Sequence, residues 1–400
     1  MTKLQNAIVG GVRGVIRQVP AGWLPGGKPD PLIDKRVSLG TQQSRVDGAE
    51  KVTGGARYAA EVPMDGLVYA ALVHSTIAKG SIVALETAAA EAAPGVVLVM
   101  THRNAPRMAT VPPMGVTNLK AAGNNILPVM QDATIRWNGQ VVAVVLAETQ
   151  EQADHAASMV VARYDVVPSR TQFEAGKADA RTPESILIEK NHLLKGNAKK
   201  ALEMAEYRVD QVYRTIWNNH NPIEPNAATV VWNDGRLIVH DATQMLNGTA
   251  GSLAKVFGIK EDDVFVSSPF VGGGFGGKAL WDHQILAVAA AKLANRPVRI
   301  VLPRSGMHRL IGGRTQTEQR VALAVDRDGK LKALLHHGHS VKPLHSVCDE
   351  QYGLTGRSLY ACESFDIVQH HIDLDMLANT YMRGPGEAVG TFAIESAMDE

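Results

Sequence analysis

The sequence predicts an α+β fold of more than one domain, and three observations carry that expectation. A valine-rich apolar run over 140–147 reads as a buried strand, and 148–162 after it carries Ala153, Ala156, Ala157 and Val160 at helical spacing. Two pairs of apolar runs, 228–232 with 236–240 and 321–325 with 330–335, flank Asn233-Asp234-Gly235 and Asp326-Arg327-Asp328-Gly329, as antiparallel hairpins do. Between the hairpins lie a strand, a glycine-rich loop, a helix over 282–294 and a strand over 298–302.

In chain order, residues 1–36 read as a tail, because Pro20, Gly22, Pro25, Gly26, Gly27, Pro29 and Pro31 discourage regular structure. Residues 37–170 form the first domain, with strands expected over 67–74, 95–100, 140–147 and 164–167; taken alone, this segment is α/β or α+β. Residues 171–206 are polar and charged, with a break at Gly196-Asn197, and read as a linker whose last part, 198–205, is a helix. Residues 207–400 make the next domain. Its last helix, 391–400, has Ile394, Ala397 and Met398 on one apolar face and no capping glycine or proline after it, so a truncation is expected there.

Composition removes several function classes. Hydrophobic residues make up 45% of the 400, too many for a disordered chain. Lysine and arginine number 41 against 40 acidic residues, a balance that gives no long-range field for nucleic acid or an anionic membrane. Two cysteines, Cys348 and Cys362, cannot make a zinc ribbon or hold an iron–sulfur cluster alone, and read as packing residues. The apolar run 285–294 is interrupted by Lys292 and is too short for a bilayer. Arg13 breaks the apolar stretch 8–15 and no small-residue cleavage site follows, so no signal peptide is read and the expected location is cytoplasmic, or periplasmic by co-export with a partner.

The sharpest local feature is Val271-Gly272-Gly273-Gly274-Phe275-Gly276-Gly277-Lys278. Gly272, Gly274 and Gly277 match a dinucleotide fingerprint, but no acidic residue lies between Asp282 and Glu318 to hold a ribose. Gly272, Gly277 and Lys278 match a P-loop, but Ala279 has no hydroxyl for magnesium. A third reading has the loop's backbone N–H groups facing an anionic or oxo-bearing cofactor, since glycine permits positive φ and close approach. A tight strand-to-helix connection with no ligand competes equally with it.

Several stretches together resemble one family. The glycine loop resembles the GGGFGGK loop of the molybdenum-binding subunits of xanthine dehydrogenases and aldehyde oxidoreductases. Arg45-Val46-Asp47-Gly48, Lys51-Val52-Thr53-Gly54 and Ala56-Arg57-Tyr58 resemble the opening of that family's α/β hammerhead domain, and Gly139-Gln140-Val141-Val142-Ala143 with Glu148-Thr149 its later strand and helix. Gly196-Asn197, Ala201 and Tyr213-Arg214-Thr215 match the approach to its cofactor domain. Glu224-Pro225-Asn226-Ala227-Ala228 resembles its EPHAA element with Asn226 for histidine, Thr243-Gln244-Met245 its T-Q stretch, and Met382-Arg383-Gly384-Pro385-Gly386-Glu387-Ala388 its RGPGE-type loop. The match runs from about residue 37 to 400, in the family's order.

The resemblance implies an α/β hammerhead domain followed by the first part of a molybdopterin-binding domain, with mixed sheets and helices. It implies a molybdenum–molybdopterin cofactor, in the cytosine dinucleotide form, held through its dithiolene rather than by direct protein–metal bonds. The implied cofactor-binding residues are Gln244, Met245, Gly274, Phe275, Gly276, Arg383 and Gly384. Their chemistry suits such a role. An amide side chain donates two N–H bonds, backbone amides stabilise negative charge without reorganising, and an arginine offers a fixed cationic fork. Without the family pattern, Gln244 would read as a solvent-facing strand residue and Arg383 as an ion-pair partner of Glu387. His336, His337 and His339, like His370 and His371, read as structural or surface residues.

Two departures narrow the function. Ala279 stands where purine-oxidising members carry a glutamate, which disfavours xanthine and leaves aldehydes or N-heterocycles. The family's catalytic glutamate lies in a GVGE-type motif that this chain lacks, so no catalytic residue is assigned, and neither Glu387 nor Glu395 takes the role. The expected function is a cofactor-binding subunit of an oxidoreductase that hydroxylates such substrates with water. Iron–sulfur and FAD subunits or a cytochrome are expected as partners, with a C-terminal companion chain completing the pocket. The alternatives are a non-catalytic split subunit acting as an assembly module, and a nucleotide-dependent enzyme using the Gly272–Gly277 loop.

Overall fold

The computed structural model describes residues 44–115 and 119–400. The tail expected over 1–36, the stretch 8–15 and the first residues of the following domain lie outside them. Two compact units are distinguished, 1–56 and 57–400. In the first, the described residues form a short helix, Gly48–Val52. Asp47 just before it faces Arg45 Nε at 3.2 Å and Lys51 Nζ at 2.5 Å, and these bonds, Lys51's the larger, hold its carboxyl at about 2.

In the second unit a mixed seven-stranded sheet runs, edge to edge, Val264–Ser267, Arg236–Asp241, Ala227–Asn233, Val298–Val301, Val68–His74, Val141–Ala147, Val96–Thr101. Strands from distant parts of the sequence therefore share one sheet, joined where Val68–His74 runs parallel to Val298–Val301. Val141–Ala147 lies inside it, antiparallel to both neighbours and buried along its whole length, which is why its pattern is a continuous apolar run rather than an alternation.

The helix Asp282–Ala294 packs on this sheet, with Ile285, Leu286, Val288 and Ala289 in the main core beside Val230, Ile300, Leu146 and Trp281. It ends at Asn295 in the left-handed conformation (φ 49°), followed by Pro297, a stop that both residue types favour. The helix Leu246–Phe257 ends likewise at Gly258 (φ 65°).

A five-stranded sheet runs Tyr207–Thr215, Thr317–Val325, Leu331–Val341, Ser364–Ile372, Leu193–Lys195. The expected hairpin is there, closed by Asp326, whose Oδ1 accepts the N–H groups of Asp328 and Lys330, with Gly329 at φ 75°. The last helix, Glu387–Asp399, buries Ala393, Ile394 and Ala397 against Val321, Leu334 and Ile367; Met398, expected on that apolar face, is partly exposed instead. A three-stranded sheet, Thr134–Ile135, Gly80–Glu86, Val161–Val166, packs Leu85 and Ile135 against Val142 and Val145 of the large sheet. The segment 171–206 carries two helical turns, a small hairpin, the edge strand Leu193–Lys195 and the helix Ala198–Met204. No helix among the described residues is long and apolar enough to cross a membrane.

Leu286 is fully buried where the helix Asp282–Ala294 meets the sheet. Leu286→Ala is expected to lower unfolding free energy by about 2–5 kcal/mol, since the void cannot fully collapse, and urea denaturation should show an unchanged slope with an earlier midpoint.

Candidate functional site

The strands Arg236–Asp241 and Val264–Ser267 are parallel neighbours, so the segments that leave their C-terminal ends emerge side by side. That end of a parallel pair is where α/β sheets place ligand sites. One segment carries Thr243, Gln244 and Met245 into the helix Leu246–Phe257; the other is the glycine loop.

Side chain and loop meet directly. Gln244 Oε1 accepts the N–H of Gly276 at 3.0 Å and, more weakly, that of Lys278 at 3.4 Å. The Gln244 N–H in turn donates to the Lys278 carbonyl at 2.9 Å. Gly274 must lack a side chain, because a Cβ there would stand 2.3 Å from Gln244 Oε1. Phe275 takes a left-handed conformation (φ 54°) with its ring partly exposed, and the Gly277 N–H closes the turn onto the Gly274 carbonyl at 2.8 Å. Gly273 and Gly276 have φ of 97° and 101°, which side-chain-bearing residues rarely adopt.

The loop 381–386, between the strand Ser364–Ile372 and the last helix, closes the other side. The Arg383 N–H donates to the Phe275 carbonyl at 2.9 Å. Arg314 Nη2 donates to the carbonyls of Met382, Arg383 and Gly384 at 2.8, 2.6 and 3.1 Å, bracing that loop from below. Glu350, buried at 3% exposure, accepts the Gly386 N–H at 2.6 Å; burial pushes its carboxyl up to about 7, against the pull of that N–H and of Arg314.

Of the residues singled out from sequence, Gln244, Gly274, Phe275, Gly276, Arg383 and Gly384 thus come together. Met245 caps the start of the helix Leu246–Phe257 and leans on the main core, its N–H held by Thr243 Oγ1 at 3.1 Å. One expectation changes in detail: the Gly276 N–H is committed to Gln244, so it is not among the amides left for a ligand. Arg383 is exposed and forms no ion pair with Glu387.

Of the histidines singled out from sequence, none is bonded to a residue of this site, whereas His220 meets the Tyr381 carbonyl at 2.8 Å. His336 is fully buried against Gln319 Oε1 at 2.9 Å, and burial holds it neutral, down at about 3. His337 and His192 both reach Asp366 at 2.9 Å.

Sequence reasoning named Lys278 and Glu224 only as members of motifs and did not foresee their pairing beneath the loop. Lys278 is fully buried, and its Nζ sits 2.6 Å from Glu224 Oε2. That oxygen also accepts the Gly272 N–H at 2.6 Å. Desolvation lowers the lysine's pKa, against the pull of Glu224. Asp241, fully buried nearby and bonded by Gln284 Nε2 at 3.1 Å, is pushed up to about 7 by burial. This arrangement removes the nucleotide reading: the lysine and the first loop amide that would grip a phosphate are already held by the chain's own carboxylate.

Comparison with known proteins agrees with this geometry. The family described as molybdopterin cofactor-binding domain matches residues 180–400, and that described as aldehyde oxidase and xanthine dehydrogenase, a/b hammerhead domain, matches 53–168. The chain is 33% identical over 371 residues to the aldehyde oxidoreductase molybdenum-binding subunit PaoC of Escherichia coli (strain K12), covering 92% of this chain and 49% of that one. It is 28% identical over 379 residues to the xanthine dehydrogenase molybdenum-binding subunit of Escherichia coli O157:H7, covering 89% and 49%. The chain therefore spans about half the length of these relatives. In fold it is similar to quinoline 2-oxidoreductase from Pseudomonas putida 86, with a TM-score of 0.79 at 24% identity over 91% of this chain and 48% of that one.

The raised carboxyl of Asp241 has a direct consequence. A carboxyl at about 7 when folded and near 3.8 when unfolded opposes folding progressively from about pH 4, and fully above about pH 7. Asp241→Asn should therefore stabilise the chain more at pH 8 than at pH 5, by on the order of 2 kcal/mol, read from urea midpoints at the two values.

Proposed function

The chain belongs to the aldehyde oxidase and xanthine dehydrogenase family of molybdenum-cofactor proteins, and we propose that it supplies one wall of the cofactor pocket of an oxidoreductase that hydroxylates aldehydes or N-heterocycles with water. When bound, the molybdenum–molybdopterin group, here proposed in its cytosine dinucleotide form, supplies the two-electron chemistry that moves oxygen from water to a substrate carbon.

The observation that carries the reading is the bond from Gly276 N–H to Gln244 Oε1. It fixes which end of the amide faces the loop and leaves the two N–H groups of Nε2, bonded to no described residue, for an oxygen of the cofactor. The surroundings fit such a group. Gly274 leaves room for the Gln244 carboxamide itself, the Gly274 and Phe275 N–H groups have no hydrogen-bond acceptor among the described residues, and the exposed Arg383 guanidinium has no anionic partner among them. Gln244, Met245, Gly274, Phe275, Gly276, Arg383 and Gly384 are the residues we assign to holding the cofactor. Their work is to orient it, to donate hydrogen bonds where negative charge gathers, and to exclude water beside the Phe275 ring.

We propose that the general base lies outside this sequence, which has no GVGE-type motif, with a C-terminal companion chain as its source. Two cysteines cannot supply a four-thiolate cluster, so electrons are proposed to leave through iron–sulfur and FAD subunits or a cytochrome. The absence of a glutamate at Ala279 favours aldehydes or apolar N-heterocycles over xanthine. Cytoplasmic residence is proposed, with periplasmic residence by co-export as the other arrangement. A second reading, an assembly module without chemistry, shares the half-length match and predicts copurification with an iron–sulfur subunit in the absence of molybdenum.

The chain expressed with its companion and partner subunits should retain molybdenum by elemental analysis and oxidise an aromatic aldehyde. In that assembly Gln244→Ala should lower kcat by about 100-fold with little change in melting temperature. A complete assembly that carries no molybdenum and no pterin fluorescence would refute the reading.

A further inference from the structure

One carboxylate oxygen fastens both ends of the glycine loop. Glu224 Oε2 takes the Gly272 N–H at the start of the loop and the Lys278 ammonium at its end, each at 2.6 Å. The Glu224 N–H returns a bond to the Gly272 carbonyl at 3.2 Å, and a Cβ on Gly272 would stand 2.4 Å from Glu224 Cβ. Lys278 is fully buried, while Glu224 Oε1 is buried without a hydrogen-bond partner, so the acceptor capacity that is used lies on the single oxygen at the loop's neck. The residues between the two fastened ends include Gly274 and Gly276, which cradle and bond the Gln244 amide. The Lys278 main chain reaches the same residue, since its carbonyl accepts the Gln244 N–H at 2.9 Å and the Thr243 hydroxyl at 3.2 Å.

We propose that Glu224 and Lys278 are positioning residues: their buried ion pair cinches the loop at its neck and thereby sets the orientation of the Gln244 amide toward the cofactor. The Lys278 side chain is fully buried and that of Glu224 nearly so, and their bonds are to each other and to the loop's neck. The physical reason for an ion pair here is selectivity between loop shapes. A buried ammonium released from its carboxylate stays desolvated, so any loop conformation that separates the two is strongly disfavoured. Glycines alone would leave the segment free to sample many conformations. The ion pair restores the order that the run of glycines from Gly272 to Gly277 gives up, while keeping the close approach they permit. The functional half of this inference rests on the cofactor reading above; the mechanical half does not.

The test therefore has two readouts. Amide hydrogen exchange on the full chain follows the N–H groups of Gln244, Gly276 and Gly277, with those of Val144 and Leu286 as core references. Molybdenum content and the kcat and KM for an aldehyde are measured on the assembled enzyme. Glu224→Gln keeps the shape and removes the charge; Lys278→Met removes the cation; the double variant, with no stranded charge, covers the case where either single variant fails to fold. The expected result is exchange about tenfold faster or more at the three loop-associated amides, with the core references unchanged, and a fall in kcat that exceeds any change in KM. Lys278→Arg, which keeps the pair, should restore slow exchange. Uniformly faster exchange throughout the chain would reduce the pair to general core stability and overturn the proposal, as would loop exchange and kcat both at wild-type values in the double variant. Faster exchange confined to the loop in the variants, beside a wild-type assembly that holds no molybdenum, would uphold the lock and refute the cofactor reading, so the two failures are separable.

Discussion

The site is organised by a hydrogen bond between a side-chain oxygen and a backbone amide from neighbouring segments of the sheet's C-terminal edge, Gln244 Oε1 and Gly276 N–H at 3.0 Å. Because Arg236–Asp241 and Val264–Ser267 are parallel neighbours, the two segments emerge together, and the bond needs only a short reach. An amide side chain is suited to the role because it is two-ended: one end can be spent on the protein and the other kept for a ligand. A carboxylate there would offer no donor, and an ammonium no acceptor for the loop.

Burial sets the electrostatics around this bond. Lys278 and Asp241 lie within one desolvated region beside Glu224, and burial shifts both of them toward their neutral forms. Burial favours the neutral form of Asp241, which lies near 7, so its competition with Glu224 for the lysine falls away as pH drops below neutral. On the far side, Glu350 and Arg314 fix the loop 381–386 from beneath in the same manner, with a buried carboxyl also near 7 receiving the Gly386 N–H. Both loops thus have exposed outer surfaces and charged, desolvated undersides.

Much of this was legible in the sequence, and the reasons differ by element. The strand at 140–147 and the helix at 282–294 announce themselves because each buries nearly all of its surface, which leaves long apolar runs. The two hairpins are visible through their turn chemistry, which is local. Harder to see is that strands near residues 70 and 300 share one sheet, since no local pattern encodes a pairing across some 230 residues. At the site the glycine loop is visible locally, whereas Gln244 and Arg383 stand out only through motif order. Arg314 and Glu350 carry no local signal: each works on a backbone loop far along the chain, and charged residues alone look like solvated surface.

The glycine loop shows why a motif must be read with its occupants. By spacing it satisfies a dinucleotide fingerprint and most of a P-loop, since both patterns only require that backbone amides can be exposed. What distinguishes the outcomes is which amides remain free. Here the first is taken by Glu224, that of Gly276 by Gln244, and that of Gly277 by the loop's own turn, while the lysine that would meet a phosphate is turned inward. Such a loop cannot wrap a phosphate, which needs several convergent donors, but it can present a rigid edge with one or two amides and a neighbouring carboxamide. A flat edge of that kind suits a cofactor anchored through other contacts and needing only orientation and a few directed hydrogen bonds at its reactive end.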